Sequence, residues 1–172
     1  MDSRTGQHPV IRVLIELLTD KQEILQDLLL CAEKQKDVLQ EANETDMELL
    51  NSLLEERETL MQHSDQLDVS FLREMETLKK EMGVQVVDQV PAGTFPPGQT
   101  QALQDAVAQT EELLQAVFQV DTENRKTMKD KMDQLKSSIS QVQQGKKAIH
   151  SYANTKQHQP SLFMDKKEKN RK

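Results

Sequence analysis

The chain has 172 residues, with no tryptophan, one tyrosine and four phenylalanines, while 30% of its residues are charged; this excludes a thick globular core, which draws much of its buried area from large rings. The formal net charge of −7 is uneven: residues 1–145 carry −13 and residues 146–172 carry +6. An acidic body of that size excludes nucleic acid as the main partner, and the lone cysteine, Cys31, excludes an intrachain disulfide and fits a reducing compartment.

The opening stretch, MDSRTGQHPVIRVLIELL, has no basic leader, and Arg12 and Glu16 interrupt its apolar residues. It does not read as a signal peptide, and no run approaches the roughly 20 apolar residues that span a bilayer. A cytoplasmic location is expected. Residues 9–42 carry a helical stripe: Val10, Leu14, Leu17, Ile24, Leu28, Cys31 and Val38 recur at threes and fours. Pro9 suits a first turn, where its missing N–H costs nothing. Val13, Leu18, Leu25 and Leu29 widen the stripe, which predicts more than one neighbour for this helix.

Asn43 and Thr45 are capping types, and Thr45 to Glu48 has capping-box spacing. A second helix is predicted over about 46–82, with Met47, Leu50, Leu53, Leu60, Leu67, Phe71, Met75 and Leu78 on its stripe. Gly83 is placed to stop it, behind Lys79 and Lys80 in the last turn. Residues 83–99 hold three prolines and three glycines and read as a linker, with room for a short extended piece at 84–87.

The third helix is expected from about 100 to 150, leaving a basic tail at 151–172. Its stripe runs through Leu103, Val107, Thr110, Leu114, Val117 and Val120. It continues through Met128, Met132, Leu135, Ile139, Val142 and Ile149. At about 1.5 Å per residue it spans roughly 75 Å, more than either partner helix, so one end overhangs or the helix breaks near Asn124 and Thr127. The late stripe is then either ordinary core or a surplus apolar face. The tail, with Tyr152, the triplet Leu162-Phe163-Met164 and lysines 146, 147, 156, 166 and 167, is either a solvated end or a docking element. The expected fold is a single all-α domain over 1–172. It is an elongated bundle or coiled coil of three long helices with a Pro/Gly linker before the third and a flexible C-terminal tail.

Catalytic chemistry is not visible. His8, His63, His150 and His158 are scattered without metal-ligand spacing, Gly145-Lys146 has no glycine-rich phosphate loop before it, and no nucleophile stands with an oriented base. No enzyme activity, cofactor or metal is expected. Three interaction roles remain open: a binder of a partner's amphipathic helix, a structural subunit of a stable oligomer, and a lipid-associated adaptor that uses the basic tail.

Three stretches resemble one family in order. They are VIRVLIELLTDKQEILQDLLLCAEKQKDVLQEAN, DMELLNSLLEERETLMQH (residues 46–63), and the ending GKKAIHSYANTKQHQPSLFMDKK with its single late tyrosine. Together they resemble the FlgN family of cytosolic flagellar export chaperones. The resemblance implies that the chain holds C-terminal helical segments of the hook–filament junction proteins and brings them to the export gate and its ATPase complex. It places client binding on Met128, Met132, Leu135, Ile139, Val142 and Ile149, and gate docking on Tyr152. Membrane contact is then only transient, during delivery, and weak self-association is compatible with the same stripe.

Overall fold

The computed structural model describes residues 7–41 and 44–157. It contains three long helices: α1 (Pro9–Gln40), α2 (Met47–Met82) and α3 (Pro97–Gln157). A single 3-10 turn, Val87–Gln89, lies in the connection before α3. No strand occurs among the described residues, so the fold is all-α, and the room for an extended piece at 84–87 is taken by bends leading into that turn. The chain divides into two compact units, one ending at Thr127 and the other beginning at Met128. Asn43 and the tail from residue 158 onward, including Leu162-Phe163-Met164, lie outside the described residues.

In the first unit, α1 is the core helix. It has eleven buried residues against four on α2, as its wide stripe requires if it faces two neighbours. Near its start, Val10 and Leu14 pack with Leu78, Phe71, Met75 and Met82 of α2, with Phe95 and with Leu103. Farther along, Leu25 and Leu28 pack with Leu60 and Met61 of α2 and with Leu113 and Val117 of α3. Early α1 therefore meets late α2, so the two run antiparallel. The polar contacts between α1 and α3 advance together, from His8 with Gln99 through Gln22 with Thr110 to Ala32 with Asn124, so these two run parallel.

The helix ends follow local chemistry, with one shift from the sequence expectation. The cap of α2 is Asp46, one residue later than Thr45: the Asp46 carboxylate accepts from the Leu49 N–H at 2.9 Å. An ionised acceptor at a helix start gains from both the free N–H groups and the helix dipole. Asp46→Ala should lower the unfolding free energy by about 0.5–2 kcal/mol, and Asp46→Asn by much less, as read by urea denaturation followed by circular dichroism. An equal loss in both variants would deny the cap its role. At the other end, Gly83 adopts φ 65°, and the Gly83 and Val84 N–H groups donate to Lys80 and Lys79 carbonyls at 3.2 and 3.0 Å. That left-handed turn is open to glycine at no steric cost.

Helix α3 is longer than the sequence reading. It begins at Pro97, inside the segment read as linker, because a proline fits the first helical position. Its described part reaches Gln157, so Tyr152 lies within the helix; no glycine or proline occurs between Gly145 and Pro160 to end it sooner. It is also unbroken at Asn124 and Thr127. Asn124 is buried, and its Nδ2 donates to the Ala32 carbonyl at 2.9 Å. What reads as a weak point is a cross-helix anchor.

Candidate docking face on the third helix

The first unit spends its polar chemistry on holding helices together. The Gln99 side chain brackets the His8 backbone, accepting from its N–H at 2.9 Å and donating to its carbonyl at 3.0 Å. Gln22 Nε2 donates to the Ala106 carbonyl and to Thr110 Oγ1. Lys21 pairs with Asp68, Lys36 with Glu123 and Arg57 with Asp121, so each pair of helices shares an ion pair. Asp121, hydrogen-bonded at 2.6 Å, holds the Arg57 guanidinium even more firmly protonated than usual. The Lys36 ammonium, chiefly by its hydrogen bond, keeps Glu123 below the ordinary carboxylate range.

Among the described residues of this unit the one thiol is not set up as a nucleophile. The Cys31 thiol is buried and donates to the Leu53 carbonyl at 3.2 Å. Burial pushes its pKa up and nearby Glu56 adds to the rise, opposite to what an activated nucleophile needs. No cluster of three His, Cys, Asp or Glu able to hold a metal occurs among the described residues. A cavity of about 180 Å³ opens between the three helices, lined by Leu17, Leu67, Phe71, Val107 and neighbours. It is smaller than the ~300–1,000 Å³ of usual small-molecule sites, whereas a shallower hollow between α1 and α2, lined by Asp20, Ile24, His63, Gln66 and Ser70, has about 440 Å³.

Among the described residues, nine of the sixteen exposed large apolar side chains are on α3. Val107 and Leu114, read from sequence as stripe residues, are exposed in the first unit, and Phe118 is 70% exposed. Phe118 was missed because it lies one residue beyond Val117, which takes the inward position. In the second unit the exposure is systematic. Met128 is half-buried, while Met132, Leu135, Ile139, Val142 and Ile149 are 55%, 61%, 50%, 58% and 72% exposed. Their spacing at threes and fours puts them on one side of a continuous helix, over roughly 30 Å at about 1.5 Å per residue. Leaving this many large aliphatic groups in water is unfavourable, and a stripe of this spacing has the form that an amphipathic helix can cover.

Tyr152 follows Ile149 by three residues, so the two are neighbours on the helix surface; its ring is 66% exposed. Lys129, Lys136, Lys146 and Lys147 are exposed on the same stretch. The side chains of residues 155–157, Lys156 among them, lie outside the described residues, as do Lys166 and Lys167. Among the described residues no helix is long and apolar enough to cross a membrane.

A family model described as FlgN protein matches residues 10–160, which takes in all three helices and the exposed stripe. Comparison with curated proteins and with solved structures returns no significant match.

Proposed function

Because the chain belongs to the FlgN family of flagellar export chaperones, we propose that it escorts hook–filament junction proteins in the cytoplasm, covering their C-terminal helical segments and delivering them to the export gate. The family is one of chaperones rather than enzymes, and no step of this role needs a cofactor. The observation that carries the reading is the exposed aliphatic stripe from Met132 to Ile149. An exported subunit that polymerises through sticky helices has to keep them covered until secretion, and a stripe of this kind covers them reversibly. Met128 and Met132 add unbranched, adaptable side chains, which suits a surface that meets more than one sequence.

Tyr152 is the gate-docking residue in this reading. A tyrosine presents a flat apolar body and one hydroxyl while fixing only two side-chain torsions, so it anchors an interface at low entropic cost. The surrounding lysines speed the encounter more than they tighten it, and their effect fades with salt. The test is Tyr152→Ala, assayed by calorimetry against a hook-associated client and separately against the soluble gate domain. Client binding and helicity should stay unchanged while gate affinity falls by roughly 10- to 100-fold, the range of an anchor worth about 1.5–3 kcal/mol. Unchanged gate binding would remove Tyr152 from the role.

A further inference from the structure

We propose that residues 128–149 take a partner helix with a seven-residue apolar repeat and acidic flanks, paired along α3 as a two-stranded coiled coil; this deepens the chaperone reading and rests on it. The repeat is in the spacing. Met128, Leu135, Val142 and Ile149 follow one another at intervals of seven. Met132, Ile139, Lys146 and Ala153 form a second row with the same interval, offset by four and three. These are the two seam positions of a heptad pattern. A seam of two positions in seven is narrower than the face by which a helix packs into a globular core. It suits a single helix lying alongside, and every large aliphatic residue on it from Met132 to Ile149 is at least half exposed.

The charges beside the seam say which helix. Within 128–149 one flank consists of Lys129, Lys136 and Gln143, and the other of Lys131, Ser138 and Gly145. Neither flank has a carboxylate. The only acidic residues of the stretch, Asp130 and Asp133, fall at positions turned away from the seam. In paired helices these flanking positions face their counterparts on the partner and set its identity through charge. A partner with Glu or Asp there gains attraction at Lys129, Lys131 and Lys136, in the first half of the seam. Lys146, a lone cation within the seam, selects a register that places a carboxylate opposite it, since a single lysine on such a row specifies alignment at a cost in stability.

A second copy of this chain is the poorer occupant. It would bring two more carboxylate-free flanks, and in a parallel pair it would set Lys146 against Lys146. An anionic bilayer suits the lysines but not the seam, because interfacial helices present a broad apolar face with aromatic residues. This seam is narrow and is crossed by Lys146.

The experiment uses the full chain and two synthetic four-heptad peptides. Both carry Ile and Leu on the seam; one has Glu at the flanking positions and the other Lys, so neither pairs well with itself. The acidic-flanked peptide should bind on the order of tenfold or more tighter at low salt, with the preference shrinking as salt rises. Lys129→Glu with Lys136→Glu should reverse the preference while leaving the circular dichroism spectrum unchanged. Equal binding of both peptides, or a preference that ignores the charge swap, overturns the proposal. If an intact hook-associated client still binds in that case, the chaperone reading stands; if the client is also ignored, both fall. A homodimer in sedimentation velocity that dissociates on Leu135→Asp would make a second copy the occupant. Flotation with phosphatidylglycerol vesicles lost in the double Glu variant would make it a membrane. Either result overturns the proposal.

Discussion

Changing Leu135 and Ile139 together to aspartate is expected to abolish client binding while the protein stays helical. The two side chains are 61% and 50% exposed, so the folded chain has little apolar burial at these positions to lose. In the proposed complex they become the centre of the covered stripe. Burying a large aliphatic side chain is worth roughly 1.5–3 kcal/mol, and part of that remains to be gained at each position. An aspartate there forfeits the gain and adds an unpaired carboxylate to an apolar contact. A combined loss near 4 kcal/mol corresponds to about a thousandfold in affinity. Calorimetry with a hook-associated client reads the loss, and circular dichroism reads the fold. A variant that unfolds would make the stripe core, and one that binds normally would move the client site elsewhere.

Leu14→Ala should have the opposite profile, a large loss of stability without loss of client recognition in the protein that remains folded. Leu14 is fully buried, packed with Val10 and Leu78 and bordered by Phe71, Met75 and Leu103. Truncation removes transfer energy and leaves a cavity between helices that cannot close over it, at a cost of about 2–5 kcal/mol. Against a typical total of about 5–15 kcal/mol, that is a large share. The urea midpoint should fall sharply, and client affinity measured well below the new midpoint should match the parent. An unchanged midpoint would contradict the packing around α1.

Much of the secondary structure was legible from local signals. Pro9 and Gly83 mark ends because capping is decided within a turn or two of chain, whereas the start of α3 at Pro97 falls inside the segment read as linker. The Thr45 expectation erred by one residue for a related reason: Thr45 and Asp46 are both good caps, and the sequence does not say which backbone N–H group will be in reach. The exposed stripe was legible as apolar spacing, and Tyr152 stood out as the single tyrosine. The buried polar residues were not legible. Gln35, Gln99 and Asn124 carry no apolar signal, yet each is buried with a hydrogen-bond partner on another element; Thr110, already on the expected stripe of the third helix, is the exception.

Sequence by itself determined that the chain forms three amphipathic helices of unequal length, since periodicity, caps and breakers act through contacts three and four residues apart. Tertiary structure alone decided which parts of those stripes are core. Along α3 the pattern reads alike from Leu103 to Ile149, but Ala106, Thr110, Val117 and Asn124 are buried while Leu135, Val142 and Ile149 are open. Burial depends on what lies across from a residue, and helical spacing records only the residue's own face. With 61 residues in α3 against 32 in α1 and 36 in α2, three stripes cannot be matched along their full length. Which residues of α3 are core in the first unit was set by the anchors to α1 from Gln99 to Asn124, contacts about 90 residues apart in the chain that no local pattern encodes.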